Sequence, residues 1–286
     1  MATKTTDPAD KPARPEKPLT VKKDYHAEVI AALALYASHD DFLVFDLETT
    51  TKNFNKDERV GDAVGDGRVM QIAATAWHRI GGDRFEQVDK LNVLVREPTV
   101  TLDEHIHPAA LKTHKIQASF LWEKDSTGRY VWPTPQDAWK RLTGMAKGRV
   151  LVGQNIVTFD IPLANREMAH WGLAARLDTA NALDTLPVAR QLFDLSHFQI
   201  AEFDAKTGAA IMPASSGHKM ANIATRLGLK FDPDKLHDAL YDIDLCWRVW
   251  IAMLPKLRDY AKRVTEENPS QYRSRVGGID RSLLGR

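Results

Sequence analysis

Hydrophobic and polar positions repeat along this chain with two different periods. Short apolar runs bounded by turn residues predict five strands: DFLVFDL from Asp41, VMQIAATAWHRI from Val69 to Ile80, DKLNVLVR from Asp89 to Arg96, RVLVGQN from Arg149, and NALDTL from Asn181. Apolar residues at helical spacing predict helices from about Pro135 to Lys147, over IPLANREMAHWG up to Gly172, over GHKMANIATRLGL from Gly217, and over the long ALYDIDLCWRVWIAMLPKL from Ala239. TLDEHIHPAALKTHKI reads as a short helix and turn, Lys124 to Pro135 as a polar excursion, and Pro187 suits the first turn of PVARQLF. Three strands in succession, followed by alternating helices and strands, describe an α/β domain: a mixed sheet with helices on both faces. Between the first two strands lies TKNFNKDERVGDAVGDG (residues 51–67), polar and glycine-containing, expected as a long loop beside a strand end.

The ends of the chain differ from this body. Residues 1–24 hold Pro8, Pro12, Pro15 and Pro18 among Lys, Asp and Thr, a composition that buries too little apolar surface to offset chain entropy, so a disordered tail is expected there. The folded domain is expected over residues 25–260, with a basic tail over 261–286. Residues 1–23 carry a net +3 and residues 256–286 a net +4, which leaves −6 on the body of a chain whose total is +1. A broad electrostatic footprint for nucleic acid calls for a more basic body. Gripping only a strand end does not, and an acidic metal pocket would itself make the body negative. No run approaches the ~18 apolar residues of a membrane span, and the first residues lack a secretory signal, so a cytoplasmic protein without a membrane partner is expected. The single cysteine, Cys246, excludes a disulfide framework within one chain and reads as a packed residue.

The candidate chemistry lies in carboxylates that interrupt apolar segments. Asp46 and Glu48, in FDLETT, are two residues apart at the end of the first strand, and positions i and i+2 of a strand share a face. Asp160 opens the helix after RVLVGQN, where it is either a helix cap or a ligand. Asp242, in HDALYD, falls on the inward side of the long helix, with Asp238 and Asp244 as rival carboxylates. His237 and Asp242 are separated by ~140° on a helix, so they can cooperate only if His237 sits in the loop before it. Buried carboxylates repel one another and are costly unless paired or bound to cations, so their convergence would point to metal.

FDLET on the first strand, the second carboxylate in GQN-x3-FD and HDALYD near the end resemble the motifs of the DnaQ-like DEDDh exonucleases, a family that includes the proofreading subunit of bacterial replicative polymerases. The resemblance spans roughly residues 41–251, and IHPAALKTHKI and ALDTLPVARQLF resemble further family segments. It implies a ribonuclease H-like fold with a mixed five-stranded sheet. Asp46, Glu48, Asp160 and Asp242 would hold two Mg²⁺ or Mn²⁺ ions roughly 4 Å apart, with His237 as general base. It further implies 5′ nucleoside monophosphates released from a DNA 3′ end, and Leu47, Thr49, Thr50, Asn155 and Phe159 around the last nucleotide. A DNA polymerase or replication assembly is the partner implied. The DEDDy branch has tyrosine four residues before the last aspartate, where this chain has Asp238. Gln154-Asn155 stands where the family commonly has His-Asn.

Other readings compete. The same motifs would serve an exoribonuclease, and a degenerate module would be a binding scaffold. A zinc hydrolase built on His105, His107 and His114 lacks a familiar ligand spacing, and those histidines are expected on a loop and helix surface. QLFDL at Gln191 to Leu195 has the form of a sliding-clamp peptide but continues a helical, core-forming pattern. Trp247 and Trp250 are expected to pack.

Overall fold

A computed structural model describes residues 25–51, 67–193, 202–203, 210–211 and 217–267; both expected tails beyond these, and most of the 51–67 loop, lie outside the described residues. Its centre is strand β1 (Asp41–Thr49), whose residues Phe42 to Phe45 are buried on both faces, which is why the run is continuously apolar instead of alternating. Strand β2 (Val69–Gly81) pairs with it antiparallel, and β3 (Arg84–Leu94) pairs antiparallel with β2. On the other side β4 (Val150–Gly153) runs parallel to β1, and β5 (Ala182–Asp184) parallel to β4. The mixed sheet has the order β3-β2-β1-β4-β5.

The third strand begins five residues before the expected Asp89, at Arg84. Its first residues, RFEQV, are mixed in polarity and largely exposed, with Phe85 reaching the core, so hydropathy carries only a weak strand signal; the tight turn at Gly81 and Gly82, both with positive φ, places them against β2 at the sheet edge. A small two-stranded pair, Glu202–Phe203 with Ala210–Ile211, lies apart from this sheet.

Two helical layers cover the sheet. One face carries α1 (His26–Ser38), α5 (Thr185–Leu192), α6 (Met220–Arg226) and α7 (Ala239–Glu267), packed on Phe42, Val44, Val150 and Val152. The other carries α3 (Pro135–Ala146) and α4 (Asp160–His170), packed on Leu43, Phe45, Leu47 and Ile72. A third cluster, with α2 (Pro108–His114), Met70, Ile106 and Leu121, closes the end of the sheet beyond β2. The pattern assigned no element to α1, yet Val29, Leu33 and Tyr36 of that helix are buried. Helix α7 continues past residue 260 into the expected tail, because Leu254, Leu257 and Ala261 extend its buried stripe. Trp247 and Trp250 pack in the core as expected, as does Cys246, whose thiol pKa burial pushes up. Among the described residues no helix is long and apolar enough to cross a membrane.

Candidate active site

The carboxyl ends of β1 and β4 and the start of α7 meet at one end of the sheet. Asp46 and Glu48 continue the face of Phe42 and Val44, the face on which α7 lies, so alternation along β1 carries both carboxylates toward the helix. Asp242 stands in the first turn of α7. One carboxylate oxygen each from Asp46, Glu48 and Asp242 lies within 4.8 Å of the other two.

Asp160 completes this group from the opposite layer. A turn of GQNIVTF separates it from β4, and a Cβ at Gly153 would lie 2.8 Å from the Ile156 side chain, so only glycine admits this turn. The turn also places Asn155 in the left-handed region, at φ 63°. Asp184, buried at the end of β5, fastens it by accepting from the backbone N–H of Asn155 (2.8 Å) and Val157 (3.2 Å) while capping α5 through Leu186 N–H (3.0 Å). Asp184 was not among the expected site residues. Its signal is an acidic residue just before TLPVARQL, an N-cap pattern, but its second task spans distant strands.

The capping explanation for Asp160 fails, because Phe159 is the cap residue and makes no side-chain cap bond. Asp160 is 2% exposed, and its Oδ1 has no hydrogen-bond partner; the same holds for Asp242 Oδ1. Burial, reinforced by Asp46, pushes the Asp160 pKa well above the usual carboxylate range. Burial and then Asp242 push Asp46 up to about 7, and burial pushes Asp242 up to about 6. Among the described residues no cation is a leading cause that offsets these shifts. Orphaned hard oxygens that oppose one another's ionisation fit divalent cations such as Mg²⁺ or Mn²⁺.

The rivals of Asp242 are otherwise engaged. Asp238 caps α7, accepting from Tyr241 N–H at 3.0 Å, and Asp244 is exposed beside Arg248 at 3.5 Å. His237 sits in the loop before α7, exposed, and its backbone N–H donates to Asp242 Oδ2 at 3.1 Å. Its φ of 71° is unusual for a residue with a Cβ and is held by that bond and the adjacent cap.

Around the site, Leu47, Thr49 and Thr50 are buried. The Thr49 hydroxyl donates to Thr51 O at 2.8 Å, and the Thr50 hydroxyl accepts from Arg68 N–H at 2.8 Å, so both brace the strand end after Glu48. Asn155 and Phe159 lie on the turn before Asp160, both half-buried. Gln154, in place of the family's histidine, donates to His218 O at 3.0 Å and accepts from the Thr185 hydroxyl, a bond internal to the protein. The triad of histidines does not converge on a site: His105 accepts from Thr101 N–H, His107 caps α2, and His114 is buried against Thr49 O, not on the surface as expected. A buried ion pair of Arg68 and Glu167 (3.1 Å), also missed, anchors the chain where the 51–67 loop rejoins the sheet.

A family model described as exonuclease (RNase_T) matches residues 43–249. The chain belongs to this family. Solved structures show the ribonuclease H-like fold. Escherichia coli exonuclease I in complex with a 5cy-dT13 oligonucleotide shares 16% identity over 78% of this chain and 42% of its own, with a TM-score of 0.52. The zinc-bound form of its single-stranded DNA complex has the same identity, coverage and score. The nuclease domain of 3′hExo, a DEDDh family member bound to rAMP, shares 14% identity over 76% of this chain and 92% of its own, with a TM-score of 0.44. The chain thus spans about two fifths of the length of the exonuclease I structures. No curated protein matches the sequence significantly.

Proposed function

We propose that this exonuclease works in the 3′ to 5′ direction and releases 5′ nucleoside monophosphates from DNA 3′ ends. The observation that carries the reading is the convergence of Asp46, Glu48 and Asp242, joined by the buried, unpartnered Asp160. These four residues would hold two Mg²⁺ or Mn²⁺ ions. When bound, such ions neutralise the clustered charge, lower the pKa of a water and offset charge developing on phosphate oxygens.

The protein's own groups do the rest. His237 takes the proton of the attacking water, and its backbone N–H, donating to Asp242 Oδ2, holds the residue beside the carboxylate cluster. Water oxygen bonds to phosphorus, the bond from phosphorus to the 3′ oxygen breaks, and that oxygen takes a proton from solvent water to become the new 3′ hydroxyl. Leu47, Thr49 and Thr50 form the edge of the pocket for the last nucleotide, with Asn155 and Phe159 opposite. Exonuclease I bound to single-stranded DNA supports a nucleic-acid substrate, and its zinc-bound form supports a cation site. Association with a DNA polymerase or replication assembly and a cytoplasmic location are separate proposals, resting on resemblance and composition.

The test is a panel of labelled single-stranded, paired and mispaired DNA, RNA and dinucleotides, with Mg²⁺ and with EDTA. Mononucleotides released from DNA 3′ ends only with metal support the reading. Internal cleavage, metal-independent release or a strong preference for RNA overturns it.

A further inference from the structure

Between β3 and α3 the chain makes a hairpin-like excursion. Lys124 bridges Tyr130, Val131 N–H donates to Glu123 O at 2.9 Å, and a tight turn at Gly128 joins the two sides. The excursion leaves large apolar groups in solvent: Tyr130 is 41% exposed, Val131 45% and Phe120 46%. Scattered apolar residues on a surface are ordinary, but Tyr130 among these is flanked by two cations. The Arg96 guanidinium lies 4.1 Å and the Lys124 ammonium 4.7 Å from the Tyr130 ring centroid.

The platform is fixed in place. Trp122 meets Tyr130 edge-on at 5.8 Å, and its indole N–H donates to Val100 O at 2.9 Å. Arg96 N–H donates to Pro133 O at 3.0 Å. Asp125, the nearby acid, is occupied by Thr127 and the backbone N–H of Arg129, which leaves Glu123 as the opposing charge of the turn.

Strand register gives its place relative to the site. Glu48 pairs with Gln71 and Gln71 with Leu94, so these three form one row across the sheet. Two strand spacings separate Glu48 from Leu94, about 10 Å, and Arg96 lies two residues further, so Arg96 is on the order of 12 Å from Glu48. That is about three or four stacked nucleotides at ~3.4 Å each.

We propose that Arg96, Tyr130 and Lys124 form a binding surface for the single-stranded stretch lying 5′ of the terminal nucleotide. A base stacks on the Tyr130 ring and Arg96 guanidinium, and Lys124 meets a backbone phosphate. The surface rests on the exonuclease reading for its orientation, while binding itself can be measured without turnover.

The experiment compares the full chain with Tyr130→Ala/Lys124→Ala and with Tyr130→Phe. Binding of labelled dT12 is followed by anisotropy in Ca²⁺. Turnover of dT2, dT4 and dT12, and of the p-nitrophenyl ester of thymidine 5′-monophosphate, is followed in Mg²⁺. The double variant should bind dT12 about tenfold more weakly, which is about 1.4 kcal/mol and within reach of one lost stack. Its KM for dT12 should rise similarly, with turnover of the ester, which has no upstream strand, unchanged; Tyr130→Phe should behave as wild type. Unaltered dT12 binding in the double variant overturns the surface and leaves a protein partner as its use. An equal loss on the ester also overturns it, as a folding defect. If no substrate is hydrolysed but the double variant still loses dT12 affinity, the surface stands and the exonuclease reading falls.

Discussion

The two ends of helix α7 hold acidic groups in opposite ways. Near its C-terminal end, Asp83 of the β2–β3 turn accepts two bonds from Arg258 at 2.7 Å and one from Tyr36 at 2.7 Å, with Arg79 3.9 Å away. Those bonds, Arg258 first, hold its pKa below the usual range. About 24 Å away at the helix start, as judged from 1.5 Å per residue, Asp242 faces Asp46 and Glu48 with its Oδ1 unpartnered, and its pKa is raised. A carboxylate given a guanidinium fastens the fold. Carboxylates set against one another in a buried site have raised pKa values, and the protein bears their repulsion until cations bind.

The largest effect should come from Asp242→Asn, which removes a ligand and abolishes metal-supported nucleotide release. The same substitution removes part of the repulsion, so metal-free stability in urea should hold or rise. A variant that retains wild-type turnover would erase the distinction between the two ends. His237→Ala should lower turnover by about 10²-fold or more while leaving stabilisation by added Mn²⁺ largely intact, since the imidazole moves a proton and holds no metal in this assignment.

At the other end, Arg258→Ala should cost about 2 kcal/mol in chemical denaturation, the scale of hydrogen bonds to a charged group, with little change in kcat. The smallest effect concerns pH and separates the ends by sign. Asp46 and Asp242 have folded pKa values of about 7 and about 6, raised above the ordinary 3.8. Between roughly pH 4 and 7 the native state therefore holds more protons than the unfolded chain, and metal-free stability falls as pH rises. The lowered Asp83 contributes stability that is present above its unfolded value and lost as pH falls through its folded one. Urea midpoints across pH, with and without Mg²⁺, should show the fall toward neutrality only without metal, and Asp83→Asn should remove only the acid-side loss.

The site was legible where its geometry is local. Strand alternation alone puts Asp46 and Glu48 on one face, and the five-residue offset requires His237 to lie in the loop before α7 if it is to work with Asp242, which is where the structure has it. Asp160 could not be separated from a cap by its position, since a capping carboxylate and a ligand occupy the same place in a sequence; burial, an unpartnered oxygen and the absence of a cap bond count against the cap. Helix α1 and the start of β3 were missed for opposite reasons. One is apolar over most of its surface, and the other is a largely exposed edge of mixed polarity that its pairing with β2 makes a strand.

Local periodicity, then, was enough for the order of most elements, the mixed sheet and the shared face of Asp46 and Glu48, because backbone geometry converts spacing into direction; Asp160 and Asp242 joined them only through the motif resemblance. The choice of Asp242 over Asp238 and Asp244, the role of Asp184 in holding the turn before Asp160, and the burial that raises the carboxylate pKa values were decided by packing. They depend on which distant groups share a volume from which water is excluded, and the distance between residues along the chain carries no measure of that.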